Sequence, residues 1–342
     1  RSDLAAEYYD EHIFEQKTFA DLYARRGPSI IINATEMVTG ARLSFNRDRF
    51  DMLCTDLMSF PVSRAVAASA AVPVLLSPIT IKNYAGTCGY VLPERLAQSL
   101  RSKDTSTRLY QHAHSINTLL DAERAPYLHL IDGGVADNLG MRAFTDRLFA
   151  YDSFADAVDA IGLLKKVRKV VFLVVNAETE VTRNHFRLST MPSMTAMLDA
   201  YLSIAVSRYN LETMMLLRER FASWRKDVQN RRCEAGMIDD TPGACGDIRF
   251  YLIEVKFDAL ADAERRSALK QLPTSFVLEE RDVDHLRASA RQILREAPDF
   301  QRLLSDLREG DRKGPFPVTP DIVSIPEQAG LSGTRTQNKA LD

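Results

Sequence analysis

The chain has 342 residues, 45% hydrophobic and 26% charged, and its 44 basic and 46 acidic side chains leave a formal net charge of -2. That balance excludes the basic footprint of a nucleic-acid-binding surface, and the composition is that of an ordinary globular protein. No apolar run reaches the roughly 20 residues of a membrane-spanning helix, and the length suffices for one large domain or two medium ones.

In chain order, "PSIIINATEM" reads as a short buried strand ending near Asn33, and "ARLSFNRD" as a second, shorter one. "SFPVSRAVAASAAVPVLLSP" predicts a helix opened near Pro61 and stopped by Pro73. "ITIKNY" is a strand; "PERLAQSLRS" and "TSTRLYQHAHSINTLLDAE" are helical. "PYLHLIDGGV" is a strand with an abrupt end, and the segment after it predicts one or two helices. The strongest buried-strand signal is the apolar run 170–175 in "KVVFLVVNAET". "STMPSMTAMLDAYLSIAVSRYNLETMMLLRERFASWRKDV" is a long helical stretch, either continuous or broken, and precedes a further strand, "DIRFYLIEVKFDAL", and short closing helices. Strands alternating with crossover-length segments predict an α/β fold with a central, mostly parallel sheet and helices on both faces. Residues 311–342 are rich in Gly, Pro, Ser, Thr and Gln and read as a loosely ordered tail behind a folded part, 1–310.

Cys54, among apolar residues in "FDMLCTDL", reads as a buried, inert thiol. Cys233 and Cys245 bracket "EAGMIDDTPGA"; a disulfide across that loop in an oxidising compartment and two free loop thiols are the alternatives. With no C-x-x-C pair, a zinc ribbon is not expected. His112 and His114, two apart on a helix, face different ways. His129 lies on the strand face opposite Asp132, and His185 and His285 have no ligand-like neighbours, so no metal site is predicted. Met191, Met194, Met197, Met214 and Met215 suit either core packing or an acyl-chain groove. The arginine-rich run around Trp224 suits either a solvated helix face or contact with anionic lipid headgroups at a membrane surface.

The most informative stretch is "LHLIDGGVADNLG", residues 128–140. It holds Asp132 at the end of a strand, where function gathers in α/β sheets. Gly133 and Gly134 can take positive φ and permit close approach by a backbone or a substrate. Asp137 or Asn138 can cap a helix starting near Leu139. The competing reading is a tight turn in which Asp132 only hydrogen-bonds backbone amides.

"IDGGVADNLG" resembles the Asp-Gly-Gly block of the patatin-like phospholipases. Two further segments are similar to that family in order and spacing. "IIINATEMVTGARLSF" places Asn33, Thr35 and Gly40 on its Asn-Ala-Thr and Thr-Gly positions. "FPVSRAVAASAAVPVLLSPI" places Ala68, Ser69, Pro73 and Pro78 on recurrent positions. The resemblance covers roughly residues 15 to 180. It implies a three-layer patatin-like fold and a lipid acyl hydrolase using a Ser-Asp dyad without histidine, metal or organic cofactor. Asp132 would be the base, with Ser69 and Ser77 as cleft-wall candidates. The substrate implied is a phospholipid or related acyl ester. A non-catalytic interaction protein of the same fold and an esterase for small soluble esters are the alternatives.

The sequence departs from the family in one respect. Among its 15 glycines the only pair spaced four apart is Gly310 and Gly314, centred on Arg312. There is no Gly-x-Ser-x-Gly and no glycine cluster for an oxyanion loop. Both elements precede the Asn-Ala-Thr strand in the family, and the chain starts at Arg1 instead of Met. The expectation is that nucleophile and loop lie on an upstream segment of the same protein. A Cys233–Cys245 bridge would weakly favour an exported, periplasmic or membrane-associated location.

Overall fold

The computed structural model describes residues 1–25, 27–73, 75–148, 151–179, 189, 191, 193–236, 248–273, 275 and 277–312. They fall into two units, Arg1–Gly162 and one beginning at Leu163. Each mixes helix and strand.

The first unit opens with α1 (Ser2–Tyr9), one turn of π-helix (Asp10–Phe14) and α2 (Phe19–Ala24). Its sheet is built from β1 (Asn33–Glu36), β2 (Arg42–Ser44), β3 (Ile79–Lys82) and β4 (Tyr127–Ile131), in the order β2-β1-β4-β3. Helices α3 (Arg47–Met52), α4 (Val62–Ser69), α5 (Glu94–Arg101) and α6 (Arg108–Leu119) lie between the strands in sequence. After β4 come α7 (Gly134–Asp137), α8 (Met141–Leu148) and α9 (Phe154–Ala160).

Every pairing in this sheet is antiparallel, which corrects the expected mostly parallel sheet. Alternating strand and helix patterns fix the order of elements but not their direction. Residues 37–41 between β1 and β2 are too few for a parallel crossover, which needs about a dozen or more, so the chain turns back, with Gly40 at φ +68°. β1 begins at Asn33, where the predicted strand was to end; Ile30 and Ile31 ahead of it are exposed.

The core of this unit combines close helix packing with an aromatic cluster. Ala65 and Ala68 of α4 have no exposed surface, and their small side chains let the helix approach β1 and β4. Phe45 lies 5.6 Å from Phe50 and 5.5 Å from Phe60, ring centre to ring centre. The expectation of an inert Cys54 thiol is overturned, since Cys54 forms a disulfide with Cys88. Thirty-four positions separate the two, and the fold brings their Cα atoms to 5.4 Å, within bridging range.

The second unit contains β5 (Lys169–Asn176), α10 (Met194–Glu234), β6 (Arg249–Lys256), α11 (Ala263–Lys270), α12 (Glu280–Glu296) and α13 (Pro298–Arg312). β5 and β6 pair in parallel, in register from Lys169 opposite Arg249 to Asn176 opposite Lys256. The predicted burial of β5 holds on one face only. Phe172 and Val174 are buried, while Val171, Leu173 and Val175 are exposed. The buried face carries a stack in which Phe221 of α10 lies 5.5 Å from Phe172 and 5.0 Å from Phe250.

α10 is one unbroken helix. The solvated or lipid-facing reading of its arginine-rich run fails at two positions. Trp224 is 7% exposed beside Phe221 and Phe250. Arg232 is 1% exposed, and its guanidinium donates to the carbonyls of Leu164, at 2.7 Å, and Val167. Cys233 is disulfide-bonded. Cys245, His185 and residues 313–342 of the predicted tail lie outside the described residues.

Candidate active site

β4 is an interior strand, paired with β1 through Thr35 opposite Ile131 and with β3 through Ile79 opposite Leu130. It delivers Asp132 from the middle of the sheet into a turn fixed on two sides. The Asp132 amide donates to the Ala71 carbonyl at 2.9 Å, and the Gly133 amide to the Ser69 carbonyl at 3.1 Å. Ser69 ends α4, whose last carbonyls have no partners within the helix, and Ala71 lies two residues beyond it. From the other side, the Thr35 hydroxyl donates to the Asp132 carbonyl at 2.8 Å and accepts from the Ala136 amide at 3.1 Å. Thr35 therefore joins β1 to both ends of the turn.

The two glycines are required by space, not by left-handed backbone. Gly133 has φ -65°, and Gly134 is likewise outside the positive-φ region. A Cβ on Gly133 would stand 2.2 Å from the Asn33 carbonyl oxygen, with Ser69 Oγ at 3.4 Å. A Cβ on Gly134 would stand 2.8 Å from Asn138 Oδ1 and 3.0 Å from Asp132 Oδ1. The expected close approach is thus present, between β1 and the turn, while the expected positive φ is not.

Asp132 Oδ1 accepts from the Gly134 amide at 2.7 Å. No second hydrogen bond reaches this carboxylate among the described residues. Burial raises its pKa, and the Gly134 bond only partly offsets that. A partly desolvated carboxylate with an unengaged oxygen is a proton acceptor for a hydroxyl or a water. The turn is less suited to stabilising an oxyanion. The amides of Asp132 and Gly133 donate to the Ala71 and Ser69 carbonyls and that of Gly134 to the carboxylate itself.

The other predicted residues separate clearly. Ser69 belongs to this turn, with its carbonyl on the Gly133 amide. Ser77 does not; its hydroxyl accepts from the amide of Ser2 at 3.2 Å and from the Arg1 amino group at 3.3 Å. Asp137 caps a helix, as expected, but it is α8: its Oδ2 accepts from the Ala143 amide at 3.0 Å. Asp137 is buried, which raises its pKa, and lies 3.7 Å from Arg42 Nε. His129 sits opposite Thr80, whose hydroxyl lies 3.0 Å from its Nδ1. His114 is exposed, whereas His112 turns inward.

That inward turn belongs to a cluster the sequence did not reveal. Arg42 of β2, Arg49 of α3, His112 of α6 and Asp146 of α8 meet around a recess. They come from four elements and share no local spacing, so no motif could have found them. Among the described residues no group of three His, Cys, Asp or Glu side chains is arranged to hold a metal ion, and no helix is long and apolar enough to cross a membrane. Compared with known proteins, the chain matches no family model, no curated protein and no solved structure.

Proposed function

We propose that this protein is a patatin-like lipid acyl hydrolase in which Asp132 is the general base of a Ser-Asp dyad. The observation that carries the reading is the Asp132 carboxylate. It is held at a strand end by backbone bonds on both sides, has one hydrogen bond of its own, and is made more basic by burial. A hydroxyl is a poor nucleophile until a neighbouring base accepts its proton, and such a carboxylate meets that need without histidine. The turn amides are already engaged, so oxyanion donors come from elsewhere. The chain has no Gly-x-Ser-x-Gly, and the nucleophilic hydroxyl is assigned to a segment outside it. A patatin-like three-layer architecture is part of this reading.

A lipid substrate is supported by the N-terminal half of α10. Met194, Met197, Tyr201 and Ile204 recur at helical spacing on one face and are all exposed. Such a stripe suits contact with an acyl-chain surface. The Cys54–Cys88 bridge supports maturation in an oxidising compartment.

Hydrolysis of a chromogenic short-chain ester and of phosphatidylcholine vesicles tests the proposal. Residues 1–342 alone should be inactive. The protein purified from its native source should hydrolyse both and react with a serine-directed phosphonate. Asp132→Asn in that protein should lower kcat by about 10²–10⁴-fold. A folded Asp132→Asn protein with near-wild-type kcat overturns the base assignment. Turnover by residues 1–342 alone, with phosphonate labelling, overturns placement of the nucleophile outside this chain.

A further inference from the structure

The recess noted above is open to solvent and lies wholly within the first unit. It brings together three guanidinium groups, from Arg42, Arg49 and Arg147, and two carboxylates, from Asp48 and Asp146. The carboxylates already face cations. Asp146 Oδ2 accepts from Arg42 Nη2 at 2.9 Å, and Asp48 lies 3.8 Å from Arg147. Among the described residues no carboxylate comes within ion-pair distance of Arg49. Its Nη2 instead donates to His112 Nε2 at 3.4 Å.

The protonation pattern follows from the donors. A guanidinium has no acceptor, so the lone pair of His112 is on Nε2 and its proton is on Nδ1. Burial and the neighbouring arginines push the His112 pKa down to about 4, so the ring is neutral at pH 7 and offers no countercharge to Arg49. Arg49, with its pKa pushed down to about 10 by burial and by Arg42, remains charged there. The Arg42 side chain is 8% exposed, and its buried Nε makes no hydrogen bond; the nearest carboxylate oxygen, on Asp137, is 3.7 Å away. Asp146 and Asp48 lie near enough to favour the Arg49 cation, but each carboxylate already pairs with another arginine. A buried guanidinium nitrogen without a hydrogen-bond acceptor and a second guanidinium that only shares its countercharges are both costly unless an anion completes them.

We propose that this recess binds the phosphate group of a phosphate ester, with Arg49 as its principal charge partner and Arg42 and Arg147 beside it. Guanidinium groups arriving from α3, β2 and α8 approach from separate elements, which suits a tetrahedral oxyanion with several acceptor oxygens better than a planar carboxylate. The source is either a soluble phosphate monoester or a phospholipid headgroup, since both present anionic non-bridging phosphate oxygens to the guanidinium groups. The inference rests on the recess alone and does not require the acyl-hydrolase reading.

Isothermal titration of the whole chain with glycerol 3-phosphate, and co-sedimentation with phosphatidylglycerol against phosphatidylcholine vesicles, tests it. Saturable binding of glycerol 3-phosphate, or preferential sedimentation with phosphatidylglycerol, is expected, and which of the two occurs identifies the source. Arg49→Gln should weaken that binding by about tenfold or more, whereas the exposed Arg101→Gln should leave it unchanged. Should Arg49→Gln fail to fold, phenylglyoxal modification of wild-type protein gives the readout. Glycerol 3-phosphate or phosphatidylglycerol vesicles should slow modification of Arg49 where chloride does not. No binding to either probe, undiminished binding by folded Arg49→Gln, or modification of Arg49 at the same rate with and without the probes would overturn the site.

Discussion

At Asp132 a rigid backbone and an under-solvated side chain coincide. The main chain is held by the Ala71, Ser69 and Thr35 contacts, so the carboxylate does not have to hold the turn together. Its folded pKa is raised, so whatever stability it contributes is present at low pH and is lost as pH rises through the folded value. At neutral pH the charged form is a burden, and Asp132→Asn should therefore unfold at the same temperature as wild type or higher, even while losing rate. A lower thermal midpoint with normal kcat in the folded fraction would mark the residue as structural. The neighbouring glycine gives an independent prediction. Gly133→Ala keeps an allowed φ but drives a methyl into the Asn33 carbonyl, and should destabilise the protein by about 3 kcal/mol. Gly140→Ala meets nothing within 4 Å but sits at φ +68°, so its loss should be only about 1 kcal/mol, by conformation alone. Urea denaturation of both variants separates them; equal losses would mean that the turn yields and β1 does not press on it.

Among the elements, α6 illustrates how a helix acquires a property that its own sequence does not show. Its His112 turns inward to the point where α3 and α8 bring Arg49 and Asp146. The folded pKa of about 4 lies below the ordinary value of 6.5. Between those two values the unfolded chain binds the proton that the folded one refuses, so stability should fall as pH drops from 6.5 towards 4. The slope contributed by this ring is at most about 1.4 kcal/mol per pH unit. Denaturant titrations across that range, on wild type and His112→Gln, check the point; an unchanged slope in the variant would assign the acid sensitivity elsewhere. α4 works through size. Its buried alanines bring the helix end so near the sheet that the carbonyls of Ser69 and of Ala71 just beyond it receive the amides of the turn at 132–133.

For the whole molecule, the Cys54–Cys88 bridge is the widest covalent constraint seen within the first unit, closing a loop with a sequence separation of 34. It ties the end of α3 to the segment after β3, and so fixes the strand next to β4 against the helix that carries Arg49. In the chain-entropy picture a loop of this size is worth about 3–4 kcal/mol. Replacing both cysteines by serine should lower the unfolding free energy by roughly that amount, and an unreduced digest of native protein should contain the joined peptides. Two separately alkylatable thiols at 54 and 88 would remove the bridge and with it the support for an oxidising compartment.

Local pattern alone determined much of this protein. The strand before Asp132, the helix between Pro61 and Pro73, the strands around Phe172 and Tyr251, and the Asp137 cap were all legible, because each depends on neighbours within a few residues. The turn at 132–134 was legible as a close approach, since paired glycines behind a carboxylate signal missing space. What only tertiary structure decided shares one physical cause, long-range pairing. Strand direction depends on how a connection packs and cannot be read from alternation. The partner of Cys54, the burial of Arg232 in an arginine-rich run, and the meeting of Arg42, Arg49, His112 and Asp146 each join residues tens of positions apart. The role of the glycines was settled only when β1 was placed against the turn, because the atom that forbids a side chain at Gly133 is the carbonyl of Asn33, a hundred residues earlier in the chain by order of magnitude.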